Sequence, residues 1–226
     1  MEFIKANQTN FKKGRTESIK YIVIHYTAND GDTAKNNLDY YSNTPNLSSS
    51  AHYYVDEKEI CKSVEEKDTA WHCGSKVYKH NKCRNSNSIG IEMCSRYNGN
   101  LKNDKKIGNV NFANYYFKHE TVLNAVLFTK ELMKQYGISA DNVIRHYDVT
   151  GKNCPAPFVE NDELWKEFKT MLNNISSAND IDYALKWKYG ISFDSVENEK
   201  EFINLLDIEK KKNSKLYWVF HKLANK

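Results

Sequence analysis

Short apolar runs separated by polar stretches predict the strands of this chain. Residues 20–25 are apolar and β-branched on both faces, which predicts a buried central strand. Residues 51–55 predict a strand that turns through polar residues into a hairpin partner over 60–64. Residues 88–94 alternate with a period of two, and residues 143–146 predict a last short strand.

Apolar residues at helical spacing predict three helices between and after these strands. The first begins near Asp32 and ends before Pro45, and the second covers 119–136 with Gly137 at the position of a C-cap. The third presents one apolar stripe, made of Leu164, Phe168 and Leu172. Strands that alternate with helices indicate an α/β or α+β sheet protein.

Composition divides the chain into a body and a small C-terminal piece. Residues 173–180 are polar and small, as in a linker, so residues 1–174 are expected to form one domain. Residues 178–226 predict a small helical C-terminal module whose short amphipathic helices cover 181–189, 199–208 and 214–223. A module of this size is below what a single core comfortably supports, so we expect it to pack on the body or on a partner.

Charge and hydropathy narrow the classes of partner. The net charge of +4, with lysines dispersed among acidic residues, is too mild for nucleic acid but suits an anionic polymer such as a cell wall. No run approaches the ~18 apolar residues of a transmembrane helix, so no membrane insertion is expected. Residues 1–5 lack the apolar stretch of a signal peptide, and synthesis in the cytoplasm is expected.

Five cysteines occur in the chain, at positions 61, 73, 83, 94 and 154. No pair has C-x-x-C spacing, so neither a zinc ribbon nor a redox motif is indicated. The expected compartment predicts reduced thiols for the first four, with a Cys73–Cys83 disulfide as the alternative.

Two histidines and one of these cysteines form a donor set suited to Zn²⁺. His25 and His146 each end a predicted strand, and Cys154 follows eight residues after His146. A single histidine at a strand end is more often structural than a ligand. Two imidazoles and a thiolate, however, leave one tetrahedral position open, as catalytic rather than structural zinc sites do. The set therefore predicts a hydrolase that activates water.

Five short motifs in chain order resemble a known family. They are Ile24-His25-Tyr26-Thr27, Ser50-Ala51-His52-Tyr53, Ala70-Trp71-His72-Cys73-Gly74, Ser88-Ile89-Gly90-Ile91-Glu92 and His146 with Cys154-Pro155. Together they resemble the zinc-dependent N-acetylmuramoyl-L-alanine amidases of the type 2 class, which are related to peptidoglycan recognition proteins and phage endolysins. The resemblance covers about residues 18–173. It implies a central mixed β-sheet flanked by helices, with one Zn²⁺ per chain in a groove at a sheet edge.

The resemblance also implies the reaction and the roles of two residues. Family members cut the amide between N-acetylmuramic acid and L-alanine in bacterial peptidoglycan. Glu92 would be the general base. A separate argument from the residues is that burying an ionised carboxylate in an apolar strand costs free energy unless the carboxylate faces a cleft. The ordinary alternative is an exposed glutamate on a half-buried strand. Lys152 would stabilise the oxyanion, the alternative being a solvated lysine. Some relatives carry a catalytic tyrosine where this chain has Ala51, so we expect it to rely on Glu92.

Three further motif residues are expected near the substrate. Trp71 is predicted to form a wall of the groove, with core packing as the alternative. His72 and His52 are predicted to contact substrate or to support the site, with a purely structural role as the alternative. Tyr53 points away from His52 and is predicted to be core, while Asp148 is expected to orient the loop of His146.

These expectations lead to one function with stated alternatives. We expect a phage or prophage endolysin that reaches the cell wall through a membrane lesion made by another protein. A cytoplasmic muropeptide-recycling amidase shares the same chemistry, and a non-catalytic peptidoglycan-binding protein could share the fold. Binders of that kind commonly lose the cysteine ligand, which is present here as Cys154. The C-terminal module resembles helical cell-wall-binding modules, a packing extension being the equal alternative.

Overall fold

The computed structural model describes residues 1–174, which contain ten strands and six α-helices. The strands are β1 Glu2–Phe3, β2 Phe11–Lys12, β3 Tyr21–Tyr26, β4 Tyr53–Val55, β5 Ile60–Lys62, β6 Thr69–Ala70, β7 Ser88–Met93, β8 Arg96–Tyr97, β9 Tyr115–Tyr116 and β10 Val143–Arg145. The α-helices are α1 Ala34–Asn43, α2 Leu101–Ile107, α3 His119–Tyr136, α4 His146–Thr150, α5 Ala156–Glu160 and α6 Asp162–Asn174.

Six strands form the main sheet, in the order β1-β5-β4-β7-β3-β10. Strands β4, β7, β3 and β10 run parallel to one another, whereas β4 and β5 form the antiparallel hairpin expected from their pattern. Two small two-stranded sheets, β2-β6 and β8-β9, complete the described part of the chain. The prediction of a mixed sheet with flanking helices is thus confirmed.

The central position of β3 follows from its composition. All six of its residues are buried, and Ile22, Val23 and Ile24 have no exposed surface, as expected for a strand between two neighbours. Strand β3 pairs with β7 in a parallel register that places His25 beside Glu92. Because the carboxyl ends of parallel strands meet at one edge, this pairing brings two chemically active side chains together.

Two of the predicted helices occur close to their expected bounds. Helix α1 has Thr33 as its N-cap, whose hydroxyl accepts the backbone N–H of Asn36. Helix α3 ends at Gly137, which takes the left-handed conformation (φ 64°) and donates to the Met133 carbonyl. Capping residues and apolar spacing therefore determine both helices locally.

Two local expectations were wrong in detail. His146 does not end strand β10 but begins the short helix α4, because the Asp148 side chain accepts the Arg145 N–H and caps the helix. Leu164 is 37% exposed and does not face the core. The buried stripe of α6 keeps the predicted Phe168 and Leu172 and also contains Trp165 and Met171.

The segment between β6 and β7 is largely irregular and is held in place by side-chain hydrogen bonds. The Asn85 side-chain oxygen accepts the backbone N–H groups of His72 (3.2 Å) and Cys73 (2.8 Å). The Arg15 guanidinium donates to the carbonyls of Asn85 and Ser86. All five cysteines are buried free thiols, so no Cys73–Cys83 disulfide is present. This network positions His72 for the role described below.

Residues 1–172 form one compact unit. No helix of the described residues is long and apolar enough to cross a membrane. The predicted helical module at 178–226 lies outside the described residues.

Candidate metal centre and catalytic groove

The carboxyl ends of β3 and β7 and the segment that follows β10 meet at one edge of the sheet. His25 comes from β3, His146 begins α4, and Cys154 lies in the loop after α4. The Tyr147 N–H donates to the Cys154 carbonyl at 2.8 Å, and Gly151 takes a left-handed conformation (φ 83°) that turns the chain back. The short α4 loop thereby brings His146 and Cys154 to the same place.

The three potential ligand atoms converge. One side-chain donor atom from each of His25, His146 and Cys154 lies within 4.8 Å of the other two. The Cys154 Sγ is 3.6 Å from His25 Nδ1. Zn–S and Zn–N bonds of about 2.3 and 2.0 Å at a tetrahedral angle separate the two donors by about 3.5 Å. The observed separation is the one that a shared zinc ion requires.

Burial sets the protonation of these groups in favour of metal binding. Burial, with a smaller contribution from neighbouring positive groups, lowers the pKa of His146 to about 3 and that of His25 well below its usual value. Both imidazoles are therefore neutral and carry a free lone pair. Burial also raises the pKa of the Cys154 thiol, so a thiolate there needs a compensating cation.

Two buried polar atoms at this edge have no hydrogen-bond partner. They are His146 Nδ1 and Glu92 Oε2. Buried polar groups in proteins are nearly always satisfied, so two orphaned acceptors beside a thiol indicate that a cation or water completes the site. The donor chemistry, the 3.6 Å separation and the orphaned atoms fit Zn²⁺.

Glu92 lies next to the converging ligands. Its Oε1 is 3.9 Å from His25 Nδ1. Burial is the largest influence and raises the pKa of Glu92 to about 8, while the positive charge of Lys152 opposes the rise. A carboxylate with this pKa can accept a proton and release it again near neutral pH.

Two adjoining grooves open at this centre. One, of about 610 Å³, contains His25, Glu92, His146, Lys152 and Cys154 in its lining. The second, of about 720 Å³, shares Trp71, His72, His146 and Lys152 with the first. The centre therefore lies in the floor of the first groove, and the second groove adjoins it.

The other residues predicted for the site differ in how far they are exposed to the groove. Trp71 lines both grooves and is partly exposed, and Lys152 is exposed at the groove. His72 also lines the groove but is mostly buried. His52 is fully buried and does not reach the groove; its Nδ1 accepts the Gly90 N–H at 3.0 Å, and its Nε2 lies 2.6 Å from Arg15.

Tyr53 and Asp148 occupy positions close to those expected. Tyr53 is buried and packs edge-to-face on Phe128, with ring centroids 4.6 Å apart. Asp148 forms a two-oxygen ion pair with Arg145 at the start of α4, and so holds the first turn of the helix that carries His146.

Sequence reasoning missed one wall of the groove. It is formed by α1, whose lining side chains are Asn36, Asn37, Tyr40 and Tyr41. Two pairs, Asn36 with Tyr40 and Asn37 with Tyr41, are each four positions apart and therefore share one helical face, which was a usable signal.

The fold is that of a mixed α/β protein, and two imidazoles, a thiol and a carboxylate at the floor of its cleft form a donor set suited to a metal ion. Residues 15–157 match the family model described as N-acetylmuramoyl-L-alanine amidase. The chain belongs to this family, and the resemblance of its motifs is confirmed.

Curated relatives carry the same description. The N-acetylmuramoyl-L-alanine amidase CwlL of Bacillus licheniformis is 34% identical over 185 residues, which are 76% of this chain and 46% of the relative. The amidase BlyA of Bacillus subtilis is 30% identical over 195 residues, 80% of this chain and 48% of the relative. The chain thus spans about half the length of the curated relatives it matches.

Solved structures share the fold. A mutant endolysin from Bacillus subtilis superposes with a TM-score of 0.58 at 29% identity, covering 76% of this chain and 97% of that one. The catalytic domain of XlyA superposes with a TM-score of 0.57 at 27% identity, covering 76% and 100%. These neighbours confirm the predicted sheet with flanking helices.

Proposed function

We propose that this protein is a zinc-dependent N-acetylmuramoyl-L-alanine amidase that degrades bacterial peptidoglycan. The observation that carries the proposal is the convergence of His25, His146 and Cys154 beside Glu92 at the floor of an open groove. Family membership supports the substrate. The bond cut would be the amide between the lactyl group of N-acetylmuramic acid and L-alanine.

His25, His146 and Cys154 would hold one Zn²⁺ through two imidazole nitrogens and a thiolate. When bound, the ion supplies a Lewis acid that polarises the amide carbonyl and acidifies water. The three protein ligands leave room for a further one, as catalytic sites require. A non-catalytic binding protein has no need of this complete donor set.

Glu92 would carry the proton through the reaction. Its carboxylate takes a proton from the attacking water as the carbon–oxygen bond forms, and later gives it to the departing nitrogen. The carbon–nitrogen bond then breaks, which leaves a free lactyl carboxylate and a stem peptide with an L-alanine amino terminus. The raised pKa of about 8 suits both halves of this transfer.

Lys152 would stabilise the negative oxygen that develops on the attacked carbonyl. Lys152→Met is expected to lower kcat by about 10²-fold, the usual effect of losing one such stabilising group, while zinc content and folding stay unchanged. The measurement is the rate of amide cleavage on a soluble muropeptide. Lys76→Met, at an exposed position outside both grooves, is the matched control; equal rates for the two variants would remove Lys152 from the reaction.

Product analysis tests the proposed reaction. Purified peptidoglycan digested by the protein should yield free stem peptides that begin with L-alanine, detected by mass spectrometry, without new reducing sugar ends. New reducing ends would instead indicate cleavage of the glycan. Intact wall with the protein bound would support the binding protein in place of the enzyme.

The setting of the reaction is proposed to be that of a phage or prophage endolysin. Structural neighbours include an endolysin, and the curated relatives are N-acetylmuramoyl-L-alanine amidases by name. Such an enzyme would meet the wall after passing a membrane lesion made by another protein.

The C-terminal residues 178–226 are proposed to form a separate module that favours binding to the intact wall. Truncation after Asn174 is expected to leave the cleavage of small muropeptides unchanged and to slow the lysis of whole walls. Parallel assays on the two substrates measure this. Loss of activity on the small substrate would show that the C-terminal residues belong to the catalytic fold.

A further inference from the structure

His72 uses both of its ring nitrogens inside the protein. Its Nδ1 lies 3.0 Å from Nε2 of His25, and its Nε2 lies 3.1 Å from Oγ of Ser88. The Ser88 hydroxyl is also 2.6 Å from the Arg84 carbonyl oxygen. These contacts form a continuous series of hydrogen bonds that ends at a proposed zinc ligand.

The direction of these hydrogen bonds follows from the Arg84 carbonyl, which can only accept. The single Ser88 proton is committed to that carbonyl at 2.6 Å, so the Ser88 oxygen accepts from His72 Nε2–H. A neutral His72 ring then has an unprotonated Nδ1, which accepts from His25 Nε2–H. The neutral His25 ring keeps its lone pair on Nδ1.

That nitrogen is the one that faces the other ligands. His25 Nδ1 is 3.6 Å from Cys154 Sγ and 3.9 Å from the Glu92 carboxylate. The opposite tautomer would place a proton on Nδ1 and prevent it from binding a metal. Selection between the two tautomers therefore decides whether His25 can act as a ligand at all.

We propose that His72 is a positioning residue that holds His25 in its metal-binding tautomer, with Ser88 and the Arg84 carbonyl fixing the direction of the hydrogen bonds. This inference rests on the proposed zinc site. Of the two roles expected for His72, it selects support of the site over contact with substrate, because no ring nitrogen remains for a substrate while these bonds are intact.

Gly90 in the Ile-Gly-Ile-Glu motif explains how His72 fits there. A Cβ at position 90 would lie 2.6 Å from His72 Cγ and 2.8 Å from its Nδ1, closer than nonbonded atoms approach. The imidazole therefore packs directly on the backbone of β7. The Asn85 side chain accepts the backbone N–H of His72 and holds it in place. The His72 ring stands edge-on to the His25 ring at an interplanar angle of 88°. The hydrogen bond to His25 is thus organised before any metal binds.

Nuclear magnetic resonance of the ring nitrogens in the metal-free full-length protein tests the tautomer directly. We expect His25 to carry its proton on Nε2 and His72 to carry its proton on Nε2. In His72→Phe, which keeps a flat ring of similar size but removes the acceptor, we expect His25 to populate both tautomers. A wild-type His25 protonated on Nδ1 would overturn the proposal.

Zinc affinity, measured by competition with a chelator, gives the second readout. His72→Phe is expected to weaken zinc binding by about 10- to 100-fold, the usual cost of losing such a partner of a metal ligand. His72→Asn places an acceptor oxygen near the former Nδ1 and should bind zinc more tightly than His72→Phe. His80→Asn, which alters a histidine outside this series, should bind like the wild type.

The outcomes separate this inference from the proposed function. Failure of the unaltered chain to bind zinc would overturn the proposed zinc site, whereas the tautomer of His25 is read without metal. Wild-type zinc affinity in a folded His72→Phe variant, or equal weakening in His72→Phe and His72→Asn, would overturn the positioning role.

Discussion

Glu92→Gln is expected to lower kcat for amide cleavage by about 10²- to 10⁴-fold, the range for a general base. Glutamine keeps the shape and hydrogen-bonding capacity of the side chain but cannot take up the proton of the attacking water. The fold and the bound zinc should persist, since His25, His146 and Cys154 are unchanged. Single-substrate kinetics on a soluble muropeptide, together with metal analysis, provide the measurement.

The matched control is Glu131→Gln, which alters an exposed glutamate on the outer side of α3. This variant should keep the wild-type rate. If Glu92→Gln also cleaved the amide at a near-normal rate with zinc bound, proton transfer would have to be assigned to another group.

Cys154→Ser is expected to lose tight zinc binding and activity together. A serine hydroxyl remains protonated and is a far weaker ligand than a thiolate. The loss of zinc affinity should exceed the approximately 100-fold upper range for removing a group that only supports a ligand. Chelator competition measures the affinity, and zinc should raise the melting temperature of the wild type but not of this variant.

Cys94→Ser is the control for this substitution. Cys94 is also buried but belongs to a different apolar cluster, and its Sγ accepts from Asn37 at 3.7 Å, which a serine oxygen can also do. Zinc binding should survive there. A Cys154→Ser protein that retained both zinc and wall lysis would exclude the thiol from the metal site.

Much of the fold could be predicted because its determinants are local. Neighbouring residues along the chain determine the buried run of β3, the alternation of β7 and the capping of α1 and α3. The start of α4 was missed because Asp148, three residues after Arg145, accepts the Arg145 N–H and so ends the strand by capping a helix. Leu164 was misplaced because its angle on the helix fits the buried stripe, whereas in this first turn of α6 the core covers Trp165 instead, which spacing alone does not show.

The composition of the candidate site could be predicted from motifs, but its hydrogen bonds could not. His25 and Cys154 are 129 positions apart, and only the fold shows their separation of 3.6 Å. The different places of His52 and His72 depend on partners distant in sequence, Arg15 for the first and His25 for the second. The sequence predicted the same role for both histidines because their motifs are similar. In the structure their different hydrogen-bond partners place them differently.

The most direct test of the zinc amidase assignment is reconstitution of the metal-free protein with zinc. The protein stripped by a chelator should not cleave the amide between N-acetylmuramic acid and L-alanine. Activity should return in proportion to added zinc and reach its maximum at one zinc per chain. Full amide cleavage by protein shown to contain no metal would contradict the proposed role of zinc in the reaction.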